Sequence, residues 1–321
     1  MLPVRAVLLA GIIPCSACTP KPAEPVDSAM DDPVDWPAID TTEDCPAVDF
    51  TAEGSFAVTS DVVYDQEDGE DLLLDLYLPD AEGPRPGIVM VHGGGFTSGD
   101  RGYMAAAAEH YAAAGFVVLN VEYRRVPTHG LDALTRDVVC SVKWALAEAD
   151  TIGLNRACLG TIGESAGGYL ASMASLAGSD PLFTEGCDTG GELDALTRWS
   201  VPYYGIADLP AFEAADGLGV LMPWLAELAG LTVEALSPTS YVARDPSVGF
   251  YLPHGTEDDV VPPSQSEVFH GVLEPAGHPT QLRLMPGVGH GFVAGGGFWG
   301  EDNQAIQADI EDFVQQMNRA R

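Results

Sequence analysis

Apolar and polar positions change periodicity along the chain from about residue 55 onward. Leucines at every second position of residues 72–78 indicate a strand with one buried face. Residues 87–91 are a continuous apolar run, and residues 116–121 are apolar except for Asn120. Both segments favour strands buried on both faces of a parallel sheet. The same reasoning predicts further strands at 156–162, 199–204, 247–252 and 281–285, and helices at about 103–114, 131–149, 166–177 and 304–317.

Strands that alternate with helices predict a fold of the α/β class. We expect a mostly parallel, doubly wound sheet with helices on both faces and right-handed crossovers. The chain has 321 residues, of which 46% are hydrophobic, so one large core can be buried. Residues 55–321 are therefore predicted to form a single domain.

The N-terminus carries a targeting pattern. Arg5 precedes an apolar run at 6–13, which is too short to span a bilayer but suits a signal peptide over residues 1–17. Small residues follow and end at Cys18. This stretch resembles a bacterial lipoprotein signal with Cys18 as the lipidated residue, although Cys15 stands where Leu or Val is usual. We expect export, as an envelope lipoprotein or, with an ordinary secretory peptide, as a secreted protein.

Residues 18–54 differ in composition from the rest of the chain. They are rich in Pro, Asp, Glu and Thr and poor in apolar residues. Such a segment cannot bury enough apolar surface to offset the entropy of ordering, so we predict a disordered acidic linker. Trp36 and Cys45 are the two residues of this segment that could dock onto the domain.

Charge and cysteine content narrow the choice of partners. The chain has 48 acidic and 14 basic residues, a net charge of -34, which disfavours nucleic acid and anionic lipid. A membrane is expected as a partner only through the lipid anchor.

Beyond the signal region lie four cysteines, which allow two disulfides in three pairings that the sequence does not rank. They are Cys45, Cys140, Cys158 and Cys187. None has the spacing of a metal site, so no metal is predicted.

Unusual residues follow four of the predicted strands, and the carboxyl ends of parallel strands are where such folds place their sites. One of them is Ser165, in a Gly-x-Ser-x-Gly turn between a strand and a helix. This turn lifts a serine hydroxyl into a cleft, where it becomes a nucleophile if a base removes its proton. Gly163 and Gly167 are expected where neighbouring chains leave no room for a Cβ atom.

Two further loops supply what a serine nucleophile needs. The amides of Gly93, Gly94 and Ala166 are predicted to bind the oxyanion of a tetrahedral intermediate, with His92 holding the loop by a hydrogen bond. Of the seven histidines, His290 is predicted to be the base, because it follows the last strand and because the order serine, acid, histidine is the one that serine hydrolases with a doubly wound sheet use. His254 is the competitor for this role, and packing in the acid loop is its expected role.

The acid that orients the base is one of three adjacent carboxylates, Glu257, Asp258 and Asp259, and the residues alone do not decide among them. From about residue 55 the chain resembles the hormone-sensitive-lipase-like and feruloyl-esterase-like branch of the α/β-hydrolases. The motifs that carry this resemblance are at 92–96, 163–168, 237–242, 254–258 and 289–292. The resemblance implies that Asp258 is the acid.

The resemblance also bears on Glu164, which either orders the serine turn or is a solvated charge, and on residues 218–231, which are either a cap over the acyl pocket or a core helix. The resemblance to this branch implies that the protein is a serine carboxylic ester hydrolase. Such an enzyme acts through an acyl-enzyme on small or medium esters and needs neither metal nor cofactor. A serine peptidase of the same fold and a non-catalytic binding module are the alternatives. The acyl and alcohol groups of the substrate and the oligomeric state stay open.

Overall fold

The structure, a computed structural model, describes residues 45–67, 69–187, 197–213, 222–295 and 301–319. The predicted signal peptide, Cys18 and most of the predicted linker lie outside the described residues, and so do residues 218–221 of the predicted cap segment.

The described residues contain an eight-stranded sheet with the order β1-β2-β4-β3-β5-β6-β7-β8. Its strands are β1 (Phe56–Glu67), β2 (Glu70–Pro79), β3 (Arg85–Val91), β4 (Val117–Val121), β5 (Leu154–Glu164), β6 (Trp199–Tyr203), β7 (Gly249–Gly255) and β8 (Thr280–Met285). β2 pairs antiparallel with both β1 and β4, and all the other neighbouring strands run parallel. The predicted mostly parallel α/β fold is confirmed.

Helices connect the strands. They are α1 (Ala105–Ala113), α2 (Leu131–Ala147), α3 (Ala149–Ile152), α4 (Ala166–Ala177), α5 (Pro181–Thr184), α6 (Leu209–Glu213), α7 (Met222–Ala229), α8 (Ser264–Ala276) and α9 (Glu301–Arg319). The four predicted helices correspond to α1, α2, α4 and α9, whereas α8 was not predicted. Among the residues that the structure describes, no helix has the length and apolar character that crossing a bilayer requires.

Strand register brings the site loops to one edge of the sheet. Val91, the last residue of β3, pairs with Gly163 near the end of β5. Glu164 in turn pairs with Tyr203, which ends β6. On the far side of β6, Gly255 at the end of β7 pairs with Met285. Because these strands end at similar levels, the segments that follow them meet above the same edge.

The segment just before β1 packs against the domain. Cys45 forms a disulfide with Cys158 of β5. The amides of Asp49 and Gly54 donate hydrogen bonds to the carbonyls of Ala114 and Ala113. Phe50 is buried against the rings of Tyr111 and Phe116. The prediction of a disordered linker is therefore wrong for residues 45–54, because a covalent cross-link and one aromatic anchor outweigh the acidic composition.

The second disulfide joins Cys140 of α2 to Cys187, which follows α5. The four cysteines beyond the signal region are thus all paired, which decides among the three pairings that the sequence left open.

Candidate active site

Ser165 occupies a sharp turn between β5 and α4. Its backbone has φ 54° and ψ -117°, a conformation that residues with a side chain rarely adopt. A Cβ atom on Gly163 would come within 2.2 Å of the Gly167 carbonyl oxygen, and one on Gly167 within 2.1 Å of the Val91 carbonyl oxygen. The expected lack of space at both glycines is confirmed. The turn can form only because these two neighbours have no side chain.

The structure brings His290 and Asp258 to this serine. His290 Nε2 lies 2.9 Å from Ser165 Oγ, and His290 Nδ1 lies 2.7 Å from Asp258 Oδ2. Of the three adjacent carboxylates, only the Asp258 side chain is buried, whereas Glu257 and Asp259 are exposed. The three side chains form one hydrogen-bonded chain from the hydroxyl through the imidazole to the carboxylate.

Asp258 is held as an anion by several donors. Its Oδ1 accepts hydrogen bonds from the amides of Val260 at 2.9 Å and Val261 at 2.8 Å. Burial alone would raise the pKa of this carboxyl, but hydrogen bonds from His254, His290 and Val261 and the charge of His290 hold the pKa well below its usual range. The carboxylate can therefore keep its charge while it orients the imidazole.

His254 is buried in the acid loop and does not contact Ser165 in the structure described here. Its Nε2 lies 2.8 Å from the Val261 carbonyl oxygen and 3.3 Å from Asp258 Oδ2, so this nitrogen carries the proton. Its Nδ1 lies 2.7 Å from Ser266 Oγ. The structure thus places His254 behind the acid, where packing was expected, and His290 in front of it.

The glycine loop after β3 is held by its own backbone. Gly94 has φ 124°, and a Cβ atom there would lie 1.9 Å from the Ser98 carbonyl oxygen. The Gly94 carbonyl accepts hydrogen bonds from the amides of Thr97 and Ser98. His92 is fully buried, with Nδ1 2.7 Å from the Gly93 carbonyl oxygen. The contacts of His92 are those of a residue that holds the loop.

A small apolar cavity of about 60 Å³ opens beside Ser165. Its walls come from the glycine loop, the serine turn, the loops after β4, β6 and β7, and helices α6 and α7. They are formed by Gly95, Phe96, Thr97, Val126, Ser165, Ala166, Ile206, Phe212, Met222, Trp224, Leu225 and Val261. The described part of the predicted cap segment, α7, is therefore one wall of this cavity.

Tyr204 belongs to the site, although its sequence gives no signal for this. It follows β6, it is buried, and its hydroxyl donates a hydrogen bond of 2.9 Å to Glu164 Oε2. Its ring packs edge-on against the imidazole of His290, with 4.9 Å between the ring centroids. Glu164 thus has a specific partner, which favours an ordering role for it over that of a solvated charge.

Within the described residues, one group of three potential metal ligands lies close together: Asp65, Cys140 and Cys187. The two cysteines are joined to each other by a disulfide, so their sulfur atoms are not thiolates that could bind an ion.

Comparison with known proteins identifies the family of the chain. The BD-FAE family model matches residues 74–273, more than half of the chain. Esterase LipQ of Mycobacterium tuberculosis is 30% identical over 74% of this chain, and esterase LipC of the same organism is 28% identical over 90% of it. The matches span 58% of the length of LipQ and 72% of that of LipC.

Solved structures agree in fold. Propionate-bound Est2, an esterase of Thermogutta terrifontis, superposes with a TM-score of 0.68 at 24% identity, over 83% of this chain and 94% of that protein. At this identity the likeness concerns the fold. Together with the family match, it shows that the chain belongs to the BD-FAE family and has the fold of the α/β-hydrolase esterases.

Proposed function

We propose that this protein is a serine carboxylic ester hydrolase that forms an acyl-enzyme on Ser165. The observation that carries the proposal is the hydrogen-bonded chain from Ser165 Oγ through His290 to Asp258, beside an apolar cavity. A serine hydroxyl that donates to a neutral imidazole, itself oriented by a carboxylate, is the arrangement that activates a serine for attack on a carbonyl group.

The chemistry follows from the roles of these atoms. Ser165 Oγ attacks the ester carbonyl carbon while His290 Nε2 takes the hydroxyl proton, and Asp258 stabilises the resulting imidazolium. His290 then gives the proton to the departing alcohol as the carbon–oxygen bond breaks. Water attacks the acyl-enzyme in the second half, with His290 again as the base, and releases the carboxylic acid.

The negative charge on the carbonyl oxygen needs donors. The amides of Gly93, Gly94 and Ala166 are our candidates, because main-chain donors near a serine turn stabilise such an oxyanion. Gly95 is a further candidate, since it lines the cavity together with Ser165 and Ala166. Gly93 lies beside Glu164, since a Cβ atom on this glycine would lie 3.0 Å from the Glu164 carbonyl oxygen.

The substrates that we propose are small or medium esters with an uncharged acyl group. The cavity walls are mostly apolar, and the described residues that form them carry no ionisable side chain. A charged acyl group would lose its hydration there without gaining a partner. The relatives support this class by their names, which include an ethyl acetate hydrolase of Pseudomonas putida, and Est2 was crystallised with propionate and with butyrate.

A panel of p-nitrophenyl esters of increasing acyl length, together with methyl ferulate, tests the activity and its range. Replacement of the nucleophile, Ser165→Ala, should lower kcat at least about 10⁴-fold because no covalent intermediate can form. Ser60→Ala, at an exposed position of β1, is the matched control and should keep the wild-type rate. Wild-type activity in Ser165→Ala would refute the mechanism. A wild-type protein that cleaves peptides, or that only binds esters, would favour one of the alternatives.

We also propose that the protein is exported, with residues 1–17 as signal peptide and Cys18 as the lipidated residue. The two disulfides support an oxidising compartment, where such bonds form and persist. Growth with a clickable palmitate analogue should label the wild type and leave Cys18→Ala unlabelled. Unlabelled wild-type protein in the culture medium would refute lipidation at Cys18 and would indicate a secreted protein without a lipid anchor.

A further inference from the structure

Tyr204 has a backbone conformation that needs an explanation. It follows β6 directly, and its φ is 38°, in the left-handed region that favours glycine. The residue is 1% exposed, and its amide donates a hydrogen bond of 2.9 Å to the Pro253 carbonyl oxygen of β7. A tyrosine persists in such a conformation only when surrounding contacts determine it, and such residues cluster at functional sites.

The ring and the hydroxyl of Tyr204 contact different parts of the site. The ring packs edge-on against His290 and against Phe292, each with 4.9 Å between the centroids. The hydroxyl, at the other end of the side chain, donates to Glu164 Oε2. Burial, together with the nearby carboxylate of Glu164, raises the pKa of Tyr204 well above its usual value, so the hydroxyl keeps its proton.

Glu164 extends this connection to the glycine loop. A Cβ atom on Gly93 would lie 3.3 Å from Glu164 Cγ and 3.4 Å from Glu164 Oε1, so the carboxylate lies directly against this glycine. The Glu164 backbone also precedes Ser165. The hydroxyl of Tyr204 and the Gly93 backbone therefore confine the Glu164 side chain from two sides.

We propose that Tyr204 and Glu164 are a pair of positioning residues that join the base to the oxyanion loop. The ring of Tyr204 fixes the imidazole of His290, and Glu164 supports the loop at Gly93. The hydrogen bond between Tyr204 and Glu164 holds the imidazole and the loop in a fixed relative position. Neither residue takes part in bond making. The inference rests on the proposed esterase function and adds to it two residues on which the rate depends.

Substitutions at either end of the hydrogen bond test its role. Tyr204→Phe keeps the ring and loses the hydroxyl, and Glu164→Ala loses the carboxylate. Each should lower kcat about 3- to 30-fold with KM changed less than about twofold, since misplacement by a fraction of an ångström affects the transition state more than binding. The double variant should be no slower than the slower single variant, because both remove one shared interaction. Glu164→Gln keeps an acceptor for the hydroxyl and should recover most of the rate.

Tyr251→Phe is the matched control. Tyr251 is also buried, and its hydroxyl also donates to a carboxylate, at 3.3 Å from Asp309 Oδ2, but this pair joins β7 to α9 and is not part of the site. This variant should lose thermal stability like Tyr204→Phe and keep the wild-type kcat. Rates are expressed per active serine, titrated with a stoichiometric organophosphate, so that misfolded protein does not count.

Tyr204→Leu tests the ring and should reduce kcat further than Tyr204→Phe, about 30- to 300-fold, because His290 loses its aromatic neighbour. A wild-type kcat in Tyr204→Phe, or additive losses in the double variant, would overturn the positioning pair while wild-type esterase activity leaves the proposed function intact. If the wild type hydrolyses no ester, the proposed function itself fails.

Discussion

The acid loop and the glycine loop lie at the same edge of the sheet, yet different forces hold them. Asp258 is fixed by hydrogen bonds to its carboxylate from two amides and from the rings of His290 and His254. The glycine loop is fixed by backbone conformation, with Gly94 at φ 124° and Gly95 at φ 60°. One loop depends on charge and donors, and the other depends on the absence of side chains.

This difference explains what substitutions should do at each loop. In the acid loop, removing a charge or a donor leaves the backbone path possible but weakens the orientation of the base. In the glycine loop, adding one carbon atom forces the backbone onto another path. Changes of side-chain chemistry and changes of volume therefore separate the two loops.

The largest effect is expected when the charge of the acid loop is removed. Asp258→Asn should lower kcat about 10⁴-fold, because the neutral amide no longer fixes the imidazole tautomer or stabilises the imidazolium. Asp259→Asn, at the exposed neighbouring position, should stay within about twofold of the wild type. Steady-state kinetics with a short-chain p-nitrophenyl ester measure both, and equal losses in the two variants would contradict the assignment of the acid.

A change of volume should break the glycine loop. Gly94→Ala places a Cβ atom 1.9 Å from the Ser98 carbonyl oxygen, so the loop must shift and its donors move away from the oxyanion. We expect a loss of about 10²- to 10³-fold in kcat. Gly69→Ala has a similarly positive φ of 84° but open space around it, so it should cost stability alone. Retained activity in Gly94→Ala would show that the loop does not depend on this glycine.

A smaller effect is expected behind the acid. His254→Phe keeps a ring and removes the contacts to Val261, Ser266 and Asp258, so both kcat and stability should fall, kcat about tenfold. His278→Phe is its control, since His278 is equally buried and contacts the carbonyls of Val248 and Val242 outside the site. Calorimetry should show a lower Tm in both variants, whereas a lower kcat in both would remove the special role of His254.

The smallest effect concerns pH. The pKa of Asp258 in the folded protein lies well below its ordinary value of 3.8, so the ionised carboxylate stabilises the fold at pH values above about 4. This contribution is lost as the pH falls from about 4 toward the lower, folded-state pKa. The difference in unfolding free energy between wild type and Asp258→Asn should therefore shrink below pH 4. Urea denaturation at pH 7, 4 and 3 measures it, and a constant difference would contradict the charged state of Asp258.

Much of the fold follows from the sequence because buried parallel strands are continuous apolar runs. β3 and β4 are recognisable from such runs, and α4 from its alanine-rich composition after the serine turn. The sequence pattern did not predict helix α8, because most of its residues are polar or small and because Pro275 lies within it. Composition wrongly predicted that residues 45–54 are disordered, because a disulfide partner 113 residues away in the sequence leaves no local signal.

Site residues that stand in sequence motifs could be predicted, whereas residues whose role depends on contacts between distant segments could not. Ser165 and His290 stand in recognisable loops, but the choice of Asp258 over its acidic neighbours needed the resemblance to a family. Tyr204 carries no motif, since its role depends on a positive φ and on neighbours from β5 and the last loop. Such a residue can be recognised only when the three-dimensional arrangement of the strands is known.

The disulfide between Cys45 and Cys158 decides where a mechanical load would enter the domain. If the N-terminus is held at a surface, a pull along the chain reaches Cys45 and passes through the sulfur atoms into β5. The outer strands β1 and β2 lie within the closed loop and bear none of this tension. β5 is flanked by β3 and β6, so the force enters the sheet at an interior strand and not at its edge.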